Sequence, residues 1–109
     1  MSELLQRVPR TSLLATGLLL AGAGALGQTA ATVQTRSLAA TCAACHGTDG
    51  KAVEGQAMAR LAGLPADDIS AKLRAFRDGS QPATVMHQIA KGYSNEQIDA
   101  LATWFAGQK

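Results

Sequence analysis

The chain has two cysteines, and they fall with a histidine in one run, Cys42-Ala43-Ala44-Cys45-His46-Gly47. That run constrains the fold more than any other feature, because the rest of the chain offers little to build a core on. Only four residues of 109 are aromatic: Phe76, Tyr93, Trp104 and Phe105. Val and Ile together number seven, too few for a sandwich or barrel of strands. Hydrophobic residues still make up 47 %, which excludes a disordered chain. A helical domain that needs something large and apolar at its centre satisfies both facts.

Several chemistries use Cys-x-x-Cys. A redox disulfide pair needs a βαβ setting, and no strands are legible. Half of a zinc site needs a second Cys or His pair at suitable spacing, and none exists. A chance match in an Ala-rich helix is the plain alternative. Cys-x-x-Cys-His is the attachment pattern for a c-type haem. The two thiols add across the two vinyl groups, and helix positions i, i+3 and i+4 share a face. Cys42, Cys45 and His46 then reach one macrocycle together, with His46 giving a ring nitrogen to the iron. The expectation is one covalently bound haem c per chain.

Three side chains are candidates for the iron's other face: Met58, Met86 and His87. Met58 lies in a Gly- and Ala-rich stretch soon after His46. Met86 lies beyond a helix, with enough chain before it to wrap the cofactor, and is the expected sixth ligand. A core methionine is the ordinary alternative for Met86, and a hydrogen-bonded or solvent-facing ring for His87. A thioether raises the reduction potential relative to a second imidazole. A filled sixth position leaves no place for substrate, so electron transfer is expected rather than haem catalysis, with no catalytic site in this chain.

The first residues carry Arg7 and Arg10, and an uncharged apolar run follows from Leu13 to Leu26. It is shorter than the ~20 residues a spanning helix needs. Ala25-Leu26-Gly27 has the small-x-small form of a signal-peptidase site, and Thr29-Ala30-Ala31 is a second candidate. We expect a cleaved signal peptide over residues 1–27, a domain over residues 28–109, no membrane span after cleavage, and a periplasmic location. The alternative is an uncleaved anchor. Arg7 and Arg10 are not adjacent, so a twin-arginine signal is not indicated. The remaining length has only a marginal core of its own.

Three helices are legible. One runs from about Thr32 to Ala44, with Leu38, Cys42 and Cys45 on one stripe. The next begins at Pro65, with Asp67 and Asp68 near the positive end of its dipole, Ile69, Leu73 and Phe76 on one face, and Gly79 as its stop. The last starts at Ser94, where Gln97 completes a capping-box pattern, and buries Ile98, Leu101, Ala102 and Phe105 before Gly107. A short helical turn from Thr84 to Ala90 is a fourth. Residues 47–64 read as a loop long enough to wrap a cofactor. The fold class is all-α.

Taken together, the haem-attachment run, Leu61-x-Gly63, the Met86 segment and Trp104-Phe105 in the last helix resemble a class I cytochrome c. The resemblance implies the cytochrome c fold, three or four helices around one covalent haem, with Leu38 near Trp104 or Phe105 where the first and last helices cross. It also implies attachment outside the cytoplasm. In this class a Pro often precedes Leu-x-Gly, and its carbonyl accepts a hydrogen bond from the proximal His. Here the segment is Ala59-Arg60-Leu61-Ala62-Gly63, whose backbone can serve without the stiffness of Pro.

A narrower likeness lies in His46-Gly47-Thr48-Asp49-Gly50, in Leu73-Arg74-Ala75-Phe76-Arg77-Asp78-Gly79, and in Thr84-Val85-Met86-His87-Gln88-Ile89-Ala90-Lys91-Gly92-Tyr93-Ser94. These are similar to the cytochrome subunit of flavocytochrome c sulfide dehydrogenase. That likeness implies electrons taken from an FAD-containing subunit that oxidises sulfide and passed to a soluble cytochrome c. Many members carry two haem domains, and this chain has one attachment run. Sulfide chemistry would belong to the flavin partner, since no third cysteine exists to act as a nucleophile.

A net charge of +2 gives no reason to expect nucleic acid. Lys51, Arg60, Lys72, Arg74, Arg77 and Lys91 are the basic candidates for a docking ring, with solvated helix faces as the plain alternative. The rival functions are a free-standing periplasmic electron shuttle and, further off, a haem enzyme or gas sensor.

Overall fold

The computed structural model describes residues 30–109. The leader expected over residues 1–27, with its apolar run and first cleavage site, lies outside them. Helical backbone runs over residues 30–40, here α1. It is followed by α2 (Ala43–His46), a 3₁₀ turn (Thr48–Gly50), α3 (Ala66–Asp78), α4 (Met86–Ala90) and α5 (Asn95–Ala106). The described residues contain no strand. This is the all-α class expected, with five helical segments because the first expected helix is divided.

The division falls at Thr41 and Cys42. Their amides bond back three residues rather than four, to Leu38 O and Ala39 O, each at 3.1 Å. The Thr41 hydroxyl donates to the Leu38 carbonyl at 2.7 Å and competes with the helical ladder for that acceptor. The chain turns there, and α2 restarts with His46 N–H on Cys42 O at 2.9 Å.

Helices α3 and α5 follow local rules closely. Pro65 stands one residue outside α3 as its cap, with extended backbone, and its carbonyl accepts the amides of Asp68 and Ile69. Gly79 ends the helix at φ 81°, a left-handed conformation that glycine adopts without penalty. At α5 the Ser94 hydroxyl accepts from Gln97 N–H at 3.2 Å, while Gln97 Oε1 accepts from Ser94 N–H at 2.9 Å. Each end of this reciprocal cap satisfies a donor that the helix leaves open.

Helix α3 packs against both α4 and α5. The core cluster is Ala39 from α1, Ile69 from α3, and Leu101, Ala102 and Phe105 from α5. Leu38 and Trp104 pack against it partly buried, so the first and last helices meet as the resemblance implies. Arg74 adds a 2.6 Å ion pair to Asp99 between α3 and α5. That pair is half exposed and contributes little, about 0–1 kcal/mol.

The long loop is anchored on Gly50. Its carbonyl accepts from Leu61 N–H and Ala62 N–H, at 2.9 and 3.0 Å. Gly50 is buried at φ 74°, and an added Cβ would meet Leu61 Cβ and Phe105 Cδ1 at 2.8 Å. Gly50→Ala is therefore expected to cost about 2–4 kcal/mol, from left-handed strain and overpacking together. Thermal unfolding of the holoprotein checks this, with a drop of at least about 10 °C expected.

Candidate functional site

The expected ligand residues come together around one cavity of about 410 Å³. Such a volume suits a medium-sized organic group. Cys42, Cys45 and His46 form one wall, presented by the turn at residues 41–42 and by α2. Helix α3 supplies Ile69, Leu73 and Phe76, and α5 supplies Leu101 and Phe105. The loop contributes Met58 to Leu61 and Leu64. Gln81, Val85, Met86, Ile89 and Tyr93 complete the enclosure. Most of these side chains are apolar.

The His46 ring is held in one tautomer. Its Nδ1 lies 2.7 Å from the Ala59 carbonyl oxygen, which can only accept. The proton is therefore on Nδ1, and in the neutral ring Nε2 carries the lone pair, the form a metal-ligating imidazole needs. The loop segment without proline makes this bond through its backbone. Anchorage of Leu61 and Ala62 on Gly50 supplies restraint nearby.

Cys42 and Cys45 form no disulfide. Burial pushes the Cys42 thiol above its ordinary value. A redox Cys-x-x-Cys pair depends on a lowered thiol. Among the described residues no three His, Cys, Asp or Glu side chains converge on a bare metal ion.

The three candidates for the second axial position occupy different places. Met86, half-buried at the start of α4, lines the cavity. Met58 also lines it, and the next residue, Ala59, gives its carbonyl to the His46 ring. His87 does not line the cavity, and its Nδ1 is buried without a hydrogen-bond partner. Two thiols, an imidazole with a free Nε2, a thioether and an apolar enclosure fit a covalently attached haem.

Some features of the site carry no sequence signal. Val85 is 49 % exposed and Ile89 39 %, though both line the cavity; with exposed Met58 and Leu64 they form an apolar rim. Of the six basic candidates, Arg74 is paired with Asp99, while Arg77 binds Asn95 and the Tyr93 carbonyl. Lys51, Lys72 and Lys91 are exposed, and Lys72 stands at the cavity.

Comparison with known proteins agrees with this geometry. The Cytochrome c family matches residues 30–108. A thiosulfate dehydrogenase electron acceptor of Thiomonas intermedia is 42 % identical over 71 residues, 65 % of this chain and 33 % of that protein. The cytochrome subunit of sulfide dehydrogenase of Chlorobaculum tepidum is 38 % identical over 68 residues, 62 % of this chain and 60 % of that one. Cytochrome c-554(548) of Halomonas halodenitrificans is 35 % identical over 72 residues, 63 % of this chain and 86 % of that protein. The chain thus spans about a third of the first relative and three fifths of the second. With its attachment residues, cavity and family match in agreement, the chain belongs to the cytochrome c family and carries a covalently bound haem c.

Proposed function

We propose that this mono-haem electron carrier accepts electrons from a dehydrogenase of reduced inorganic sulfur, and that its iron is held by His46 and Met86. The observation supporting the ligand pair is the cavity itself, where an imidazole with a free Nε2 and a cavity-lining thioether share one enclosure. Haem, when bound, supplies one-electron exchange at the iron. His46, oriented by the Ala59 carbonyl, and Met86 would hold the iron. Apolar walls exclude water and favour the ferrous state's lower charge.

The preferred partner is an FAD-containing sulfide dehydrogenase subunit, with a soluble cytochrome c as acceptor. Support comes from the run Thr84 to Ser94 and from the sulfide dehydrogenase relative. A thiosulfate dehydrogenase is the second reading, favoured by the relative at 42 % identity. We place the protein in the periplasm after removal of residues 1–27, on the strength of the leader pattern. No described helix is long and apolar enough to cross a membrane.

The apolar rim around Val85 and Ile89 offers the partner a contact low in charge, as the centres of stable interfaces are. Val85→Asp should slow electron uptake from the partner about tenfold while haem content stays normal. The direct test is gentle isolation of tagged protein from its native host, followed by an absorption spectrum. Stoichiometric flavin and haem reduction by sulfide support the preferred partner. Reduction by thiosulfate without flavin favours the second reading. Haem inert to both, with no companion protein, overturns both partners and leaves the free shuttle.

A further inference from the structure

The segment carrying Met86 packs on α3. Helix α4 is little more than one turn, with no side-chain cap at its start. The chain then passes through Lys91 and Gly92 to Tyr93, where two sets of bonds meet. The Tyr93 carbonyl accepts from Arg77 Nη1 at 3.4 Å, while Arg77 Nη2 donates to Asn95 Oδ1 at 2.9 Å. Arg77 thereby fastens the turn to α3. The Tyr93 hydroxyl points to the other side of the site and lies 3.1 Å from Thr41 Oγ1. Thr41 spends its one hydroxyl proton on the Leu38 carbonyl at 2.7 Å, so Tyr93 is the donor.

Thr41 directly precedes Cys42, and both Thr41 and Tyr93 line the cavity. This hydrogen bond spans 52 residues of sequence. It joins the segment that fixes the two thiols and His46 to the one that carries Met86.

We propose that Tyr93 is a positioning residue whose hydroxyl, donating to Thr41, latches the Met86 segment across the cavity and limits how often Met86 leaves the iron. The inference rests on reading Met86 as the axial ligand. Tyr93→Phe isolates the latch, because the ring still packs against the core cluster and Arg77 binds only the Tyr93 backbone. An external ligand such as imidazole binds ferric iron only when Met86 is off. Its apparent affinity therefore rises by the same factor as the open population. A hydrogen bond between part-exposed groups changes such an equilibrium by about 3- to 10-fold.

The test uses ferric holoprotein, imidazole titration, and amide exchange over residues 86–92. Tyr93→Phe should bind imidazole about 3- to 10-fold more tightly and exchange those amides faster by a similar factor. Thr41→Val should do the same, Thr41→Ser should restore wild-type behaviour, and the double variant should exceed neither single variant. Unchanged affinity and exchange would overturn the latch. So would effects that add in the double variant, or lower thermal stability without tighter imidazole binding. Met86→Ala is the control. If it fails to raise imidazole affinity, the axial assignment fails, and amide exchange alone decides the latch: faster in Tyr93→Phe sustains it, unchanged sinks it.

Discussion

Replacing both cysteines by alanine should give a chain with no covalent haem and no stable fold. Among the described residues the eight buried apolar side chains include four alanines, and the larger ones are Ile69, Ile98, Leu101 and Phe105. Ile69, Leu101 and Phe105 line a cavity of about 410 Å³. At ~24 cal/mol per Å³, an empty void of that size costs at most about 10 kcal/mol, comparable with the whole stability of a small domain. The haem therefore forms part of the core, and its thioether links keep it there. Helical circular dichroism and haem retained after acidic organic extraction measure the two effects. Both should be largely lost in Cys42→Ala/Cys45→Ala. Cys42→Ala alone should keep at most one thioether and melt at a lower temperature. Native-like helicity in the double variant would refute the packing argument.

The second large effect is expected at Met86. Met86→Ala should leave the haem attached, because both thioethers and His46 are untouched. It should open the iron and lower the reduction potential by roughly 0.1 V or more, within the ~0.8 V range that axial ligands command. The direction follows from losing a thioether that favours the ferrous state. Potentiometric titration of the variant beside the wild type measures this. Met58→Ala and His87→Ala should leave the potential near that of the wild type, because Met58 adjoins the His46-bonded carbonyl and His87 does not line the cavity. A large drop in either of those variants, with none in Met86→Ala, would move the ligand assignment.

Features governed by neighbours in the chain were legible in the sequence. Ser94 with Gln97, Pro65 with Asp67 and Asp68, and Gly79 mark helix ends through caps, dipoles and left-handed backbone, all set within a few residues. The faces of α3 and α5 follow from the helical period. Cys42, Cys45 and His46 were legible because covalent attachment demands that spacing. The break after α1 was not, because it depends on the Thr41 hydroxyl competing for the Leu38 carbonyl. Arg74 and Arg77 were candidates for a docking ring or a solvated helix face, and the fold uses them between helices. The exposure of Val85 and Ile89 is decided by tertiary packing and has no local signal. Any residue supplies a carbonyl, so only the family resemblance pointed to the segment holding Ala59. The contact between Tyr93 and Thr41 depends on chain ends meeting across the cavity, which no local pattern records.

Carbon monoxide offered to the ferrous native protein at neutral pH tests the central claim most directly. An electron carrier whose iron is held on both faces by His46 and Met86 should show no change in its haem bands, whereas Met86→Ala should bind the gas readily. Stoichiometric binding by the native protein would show an open sixth position, contradict the electron-relay account, and point instead to a haem enzyme or gas sensor.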